Sequence, residues 1–153
     1  MPIAVTMLSP HFTLAEFTYS QTAARMGLPN QPGPTELANL QRLARIMEQV
    51  RLYCGSNPVT ITSGYRSPPV NAACGGSSTS AHMSGLAADF IIPAHGDPHT
   101  VCKTIEPRMK ELGIDQLIYE YGDWVHLGLA AEGMEARCQC LTIDSSGTHH
   151  GIA

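Results

Sequence analysis

The sequence has no run of like charges and little charge altogether: 14% of its 153 residues are Asp, Glu, Lys or Arg, and the formal net charge is −4. That excludes the basic stripe needed to grip a phosphate backbone, so nucleic acid is not an expected partner. No stretch approaches the roughly 18 to 20 apolar residues of a membrane span, so membrane insertion is not expected either. The first residues, MPIAVTMLSPHFTLAEF, lack the basic segment and apolar run of a signal peptide. The expectation is a chain made and kept in a cytoplasm. Cysteine is odd in number, with Cys54, Cys74, Cys102, Cys138 and Cys140. An odd count without a secretion signal predicts reduced thiols rather than a disulfide framework. Cys138 and Cys140 form a C-x-C pair, but no second Cys/His pair stands at finger-like spacing. Internal repeats are absent too.

What is present is 43% hydrophobic residues, 14 Gly and 11 Pro. This composition predicts a compact, loop-rich α+β domain. A single domain is expected over 1–143, with 1–34 as an arm wrapping it and 144–153 as a flexible tail. Thr13 followed by Glu16 predicts a capped helical turn. Leu37, Leu40, Leu43, Ala44, Met47 and Val50 recur at helical spacing between Thr35, read as the N-cap, and Gly55. Val59 to Thr62 and Leu86 to Ile92 read as strands. Asp97-Pro98 starts a second helix towards Leu112, which Pro107 should kink or split. Gln116–Tyr119 and Trp124–Leu129 predict a hairpin turned near Tyr121-Gly122, and Gln139 to Ile143 a last short strand.

Chemistry concentrates in three places. The first is Ser80-Ala81-His82-Met83-Ser84-Gly85-Leu86-Ala87-Ala88-Asp89. A neutral imidazole and a carboxylate are both zinc ligands, and Gly85 allows a turn between loop and strand. Alone, such a pair means little and describes a loop histidine near a strand-end aspartate. The second is His126, inside the apolar Trp124-Val125-His126-Leu127, where a polar group is costly unless partnered. With His82 and Asp89 it makes the two-histidine, one-carboxylate count of an open catalytic site. Asp123, three residues earlier, can serve as general base and then acid, provided that it sits at a turn or bulge. Glu120 competes for that role. The third is Arg66 in Ser63-Gly64-Tyr65-Arg66-Ser67, whose guanidinium can clamp a carboxylate or stabilise an oxyanion.

Taken in order, Ser63-Gly64-Tyr65-Arg66-Ser67, then Ser80-x-His82-x-x-Gly85-x-Ala87-x-Asp89, then Asp123-Trp124-Val125-His126, the chain resembles the M15 metallopeptidases. These are the zinc D-Ala-D-Ala carboxypeptidases and the related phage L-alanyl-D-glutamate endopeptidases. The resemblance covers roughly residues 35 to 130. It implies one Zn2+ per chain on His82, Asp89 and His126, with Asp123 as the catalytic acidic residue. Arg66 takes the place of the substrate- and oxyanion-binding arginine, and Ser80 that of a substrate-site residue beside the first ligand. The implied fold is an α+β domain with a small antiparallel sheet flanked by helices, of the Hedgehog/DD-peptidase kind.

Some family members carry Glu where this chain has Asp123, so the reach of the shorter side chain is a question for geometry. The resemblance implies a peptidase of bacterial peptidoglycan stem peptides, of the phage endolysin type, acting as a monomer after release from the cytoplasm. Two alternatives stay open at this point. One is a D-Ala-D-Ala carboxypeptidase or dipeptidase acting on free peptide ends. The other is an inactive zinc-binding wall or virion component of the same fold.

Overall fold

A computed structural model describes residues 5–153. In chain order the elements are β1 (Met7–Ser9), β2 (Phe12–Thr13), α1 (Leu14–Thr18), α2 (Gln21–Met26), α3 (Pro34–Tyr53), β3 (Thr60–Ser63) and α4 (Pro68–Ala73). A 3-10 turn (Ala81–Ser84) precedes β4 (Ala87–Ile91), followed by α5 (Pro98–Ile105), a second 3-10 turn (Glu106–Arg108) and α6 (Met109–Leu112). The chain ends with β5 (Ile114–Glu120), β6 (Trp124–Leu129), β7 (Gln139–Asp144) and β8 (Gly147–His150). The fold is α+β. Strands β1 and β2 make a small antiparallel sheet, and the other six form a sheet in the order β3-β4-β6-β5-β7-β8. That larger sheet is mixed, because β5 pairs antiparallel with β6 and parallel with β7.

The described residues fall into two compact units, one of 5–48 with 63–88 and one of 49–62 with 89–153. In the first, Thr13 caps α1 through a complete capping box, its hydroxyl accepting from the Glu16 N–H while the Glu16 carboxylate accepts from the Thr13 N–H. Phe12 and Phe17 meet edge to face at 5.7 Å between ring centroids. Leu40, Leu43, Ala44 and Met47 of α3 are fully buried, as their i, i+3, i+4, i+7 spacing requires. The helix starts two residues earlier than the sequence suggests. Pro34 is its first residue and the Gly33 carbonyl accepts the Leu37 N–H, because a proline needs no hydrogen-bond partner at that position. Thr35 therefore lies inside the first turn.

In the second unit, Asp97 caps α5 by accepting from the Thr100 N–H, and Pro98 opens the helix. Pro107 splits the segment as expected, with α5 ending at Ile105 and α6 starting at Met109. The hairpin turns at Tyr121 and Gly122, whose φ angles of 54° and 69° both lie in the left-handed region. The Asp123 N–H bonds to the Glu120 carbonyl, and Glu120 pairs with Trp124 across the three-residue connection. Leu117, Val125, Leu127 and Leu129 line the buried side of the pair.

The tail departs from expectation. Residues 144–153 read as flexible, yet Gly147–His150 forms β8 against β7. All four residues of β8 are exposed, so no apolar alternation marks the strand. Its backbone ladder supplies the order, and Thr142 helps by donating to the Gly151 carbonyl and accepting from the Ala153 N–H. No helix among the described residues is long and apolar enough to cross a membrane.

Candidate metal centre

His82 sits on the 3-10 turn Ala81–Ser84, capped by the Ser80 hydroxyl, which accepts the His82 N–H at 3.2 Å. The turn ends at Gly85, where φ is +71° and a Cβ would come 2.6 Å from the Glu36 carbonyl oxygen. Both the conformation and the space call for glycine. The His82 ring is fixed by its Nδ1, 2.7 Å from the Gly64 carbonyl oxygen. A carbonyl only accepts, so Nδ1 carries the proton and Nε2 keeps its lone pair for a ligand. Gly64 can approach only because it lacks a side chain, since a Cβ there would lie 2.8 Å from the Phe17 Cα.

Asp89 stands in the middle of β4 and His126 in β6. The His126 Nδ1 is 2.9 Å from the Asp89 Oδ1. His82, Asp89 and His126 are 3%, 7% and 9% exposed, and one ligand atom from each lies within 4.8 Å of the others. Three buried titratable side chains gathered in this way are costly unless they pair or share a cation. Two imidazole nitrogens and a carboxylate oxygen are the donor set of a catalytic zinc site. Neighbouring donors on a tetrahedral ion, each about 2.0 Å away, stand about 3.3 Å apart, near the observed His–Asp spacing. The residues fit such a cation.

The other sequence-predicted residues lie as follows. The Arg66 guanidinium is held by Ser63, with Nε 3.3 Å from its Oγ, and by Asn71, with Nη1 3.3 Å from its Oδ1. The Arg66 backbone N–H also bonds to the His82 carbonyl. Asn30, which the sequence reading missed, clamps this loop. Its buried amide donates to the Thr18 and Tyr65 carbonyls and accepts from the Ser67 N–H. Ser80 acts here as the cap of the His82 turn.

Asp123 is exposed in the hairpin turn. It lines a cavity of about 370 Å³ with Ile91, Pro93, Gly96, Asp97 and Pro98. No hydrogen bond or ion pair joins its carboxylate to His126 among the described residues. Glu120 is closer: its Oε1 is 3.9 Å from the His126 Nδ1, and its side chain is 18% exposed. The register explains the difference. Ile118 pairs with His126 and Glu120 with Trp124, so all four side chains share one sheet face. Asp123 precedes the ladder and escapes that face. The sequence alone does not carry this signal: a two-residue turn at Tyr121-Gly122 would set His126 opposite Leu117, and it is the three-residue connection, with Glu120 opposite Trp124, that brings Glu120 to the histidine's face.

The five cysteines are free thiols. Cys138 is exposed, and the Cys140 thiol donates to the Glu106 carboxylate at 3.2 Å. Neither belongs to the His–Asp–His group.

An α+β chain with a buried His–Asp–His group has the chemistry of a metal-dependent hydrolase. The chain belongs to the peptidase M15 family, whose model matches residues 10–128. It is a peptidase by that membership. The curated proteins include no match to it.

Proposed function

We propose that this chain is a zinc peptidase that hydrolyses stem peptides of bacterial peptidoglycan, as a phage-type endolysin does. The observation that carries the reading is the buried group of His82, Asp89 and His126, with its ligand atoms within 4.8 Å of one another, in a member of the M15 family. The endolysin assignment rests on the resemblance to the phage endopeptidases in the order and spacing of the three motifs. One zinc ion per chain would be held by the two imidazoles and the carboxylate. When bound, such an ion polarises a peptide carbonyl and makes water a better nucleophile near neutral pH.

The chain's own residues supply the rest. Gly64 holds the His82 tautomer, its carbonyl accepting the hydrogen bond that the Nδ1–H donates. Ser80 caps the turn that presents this ring. Arg66, steadied by Ser63 and Asn71, offers a guanidinium for a substrate carboxylate or the developing oxyanion, with Ser80 beside the substrate. A carboxylate must move the proton from water to the departing amine, and Asp123 and Glu120 are the two at the hairpin tip. The protein acts as a monomer on the wall once released from the cytoplasm.

The test is mass spectrometry of purified peptidoglycan after digestion. Expected is the appearance of new amine and carboxyl ends within the stem peptide, abolished by a chelator and restored by zinc. Loss of only a terminal D-alanine moves the assignment to a carboxypeptidase. An unchanged wall at any zinc concentration removes the reading.

A further inference from the structure

The notable feature of the β5–β6 hairpin is that the two acidic side chains at its tip lie in different places. Glu120 ends β5, shares the sheet face of His126 and brings Oε1 to 3.9 Å from the His126 Nδ1. With 18% of its side chain exposed, it borders solvent while reaching the ligand group. Asp123 stands in the turn, exposed, lining a cavity with Asp97 rather than joining His126.

We propose that Glu120, not Asp123, is the carboxylate that carries the proton in peptide hydrolysis. The inference rests on the peptidase reading above. In the step, the water oxygen forms a bond to the scissile carbonyl carbon as one O–H bond breaks, and that proton passes to the Glu120 carboxylate. The carbon–nitrogen bond then breaks, and Glu120 returns the proton to the leaving nitrogen, which departs as an amine. Peptide and water give one carboxylic acid and one amine, and Glu120 ends as it began. Geometry decides between the carboxylates: a proton carrier must be within hydrogen-bond reach of the water, directly or through one further water. The Glu120 Oε1 stands 3.9 Å from the His126 Nδ1, at the ligand group, whereas no contact joins Asp123 to that group among the described residues. The clamp on the turn reinforces it. The Tyr121 N–H bonds to the Ile143 carbonyl at 2.7 Å and the Asp123 N–H to the Glu120 carbonyl, so the hairpin tip is fixed with Glu120 on the His126 face.

The experiment compares the parent with Glu120→Gln, Glu120→Asp and Asp123→Asn, reading hydrolysis of purified wall peptides and bound zinc by elemental analysis. Glu120→Gln keeps the shape and removes the base. The expected result is a loss of turnover of about 10²- to 10⁴-fold with zinc content at the parental level. Glu120→Asp, which keeps a carboxylate, recovers part of that loss, and Asp123→Asn loses less than about tenfold. An active parent with Glu120→Gln at the parental rate overturns the inference and leaves the peptidase reading standing. So does a fall in bound zinc that parallels the fall in turnover in Glu120→Gln, because Glu120 is then a holder of the ion. A large loss in Asp123→Asn alone gives the role to Asp123. A parent that binds zinc and cleaves no wall peptide overturns both.

Discussion

His126 and Asp89 are 37 residues apart in the chain, and their side chains meet with Nδ1 2.9 Å from Oδ1. The two side chains are 11% and 9% exposed. A contact of this kind either shares a proton or shares a cation. The His82 Nδ1 is committed to the Gly64 carbonyl, and His82, Asp89 and His126 form a group that could hold a cation.

Gly64 is therefore doubly constrained, by the Phe17 backbone on one side and the His82 ring on the other. Gly64→Ala should destabilise the fold by about 1–3 kcal/mol, since the Phe17 backbone has no rotamer with which to yield. Zinc affinity should fall with it. Urea unfolding with and without added zinc measures both, and a parental midpoint in the variant contradicts the packing argument.

The thiols divide by burial. Burial pushes the Cys54 thiol up to about 11 and the Cys102 thiol up to about 12. Burial and the Glu106 carboxylate push Cys140 to about 12. Thiolate is the reactive form, so these three should resist a disulfide reagent at pH 8 in the native protein. Cys74 and Cys138 are exposed and should react at once. Counting fast and slow thiols before and after denaturation checks the division; three or more fast native thiols contradict it.

Asp115 gives a dependence on pH. Hydrogen bonds from the Arg137 side chain hold its carboxyl below the ordinary range, outweighing its partial burial. A carboxyl with a lowered folded value stabilises the fold fully above its unfolded value, about 3.9, and the contribution is lost as pH falls through the folded value. Arg137→Gln should cost up to about 1 kcal/mol at neutral pH, the pair being partly exposed. The gap between parent and variant should close as the pH drops below that range. Denaturation midpoints for both proteins across pH 2 to 7 test this, and a gap that widens in acid contradicts it.

Much of the architecture was legible because local rules govern it. The Thr13–Glu16 box, the buried stripe of α3, the split at Pro107 and the turn at Tyr121-Gly122 each follow from a few neighbouring residues. The three residues His82, Asp89 and His126, which stand in a spaced pattern in the sequence, are gathered into one group. What escaped depends on long-range contacts. Strand β8 has no apolar face to announce it and exists through its pairing with β7. Asn30 looks like any turn residue until its amide is seen to reach Thr18, Tyr65 and Ser67. Three-residue spacing points to Asp123, while the shared face of Glu120 and His126 depends on the pairing of β5 with β6. The cross-strand register, which sets the face, becomes visible only once the hairpin is assembled.

Elemental analysis of zinc in the purified protein, set beside the same measurement on Asp89→Ala, tests the central claim most directly. About one zinc per chain in the parent and a small fraction of that in the folded variant is the result this account requires. A parent that binds no zinc after expression and dialysis with the metal present, or a folded Asp89→Ala that keeps it all, contradicts the assignment of His82, Asp89 and His126 as a metal centre.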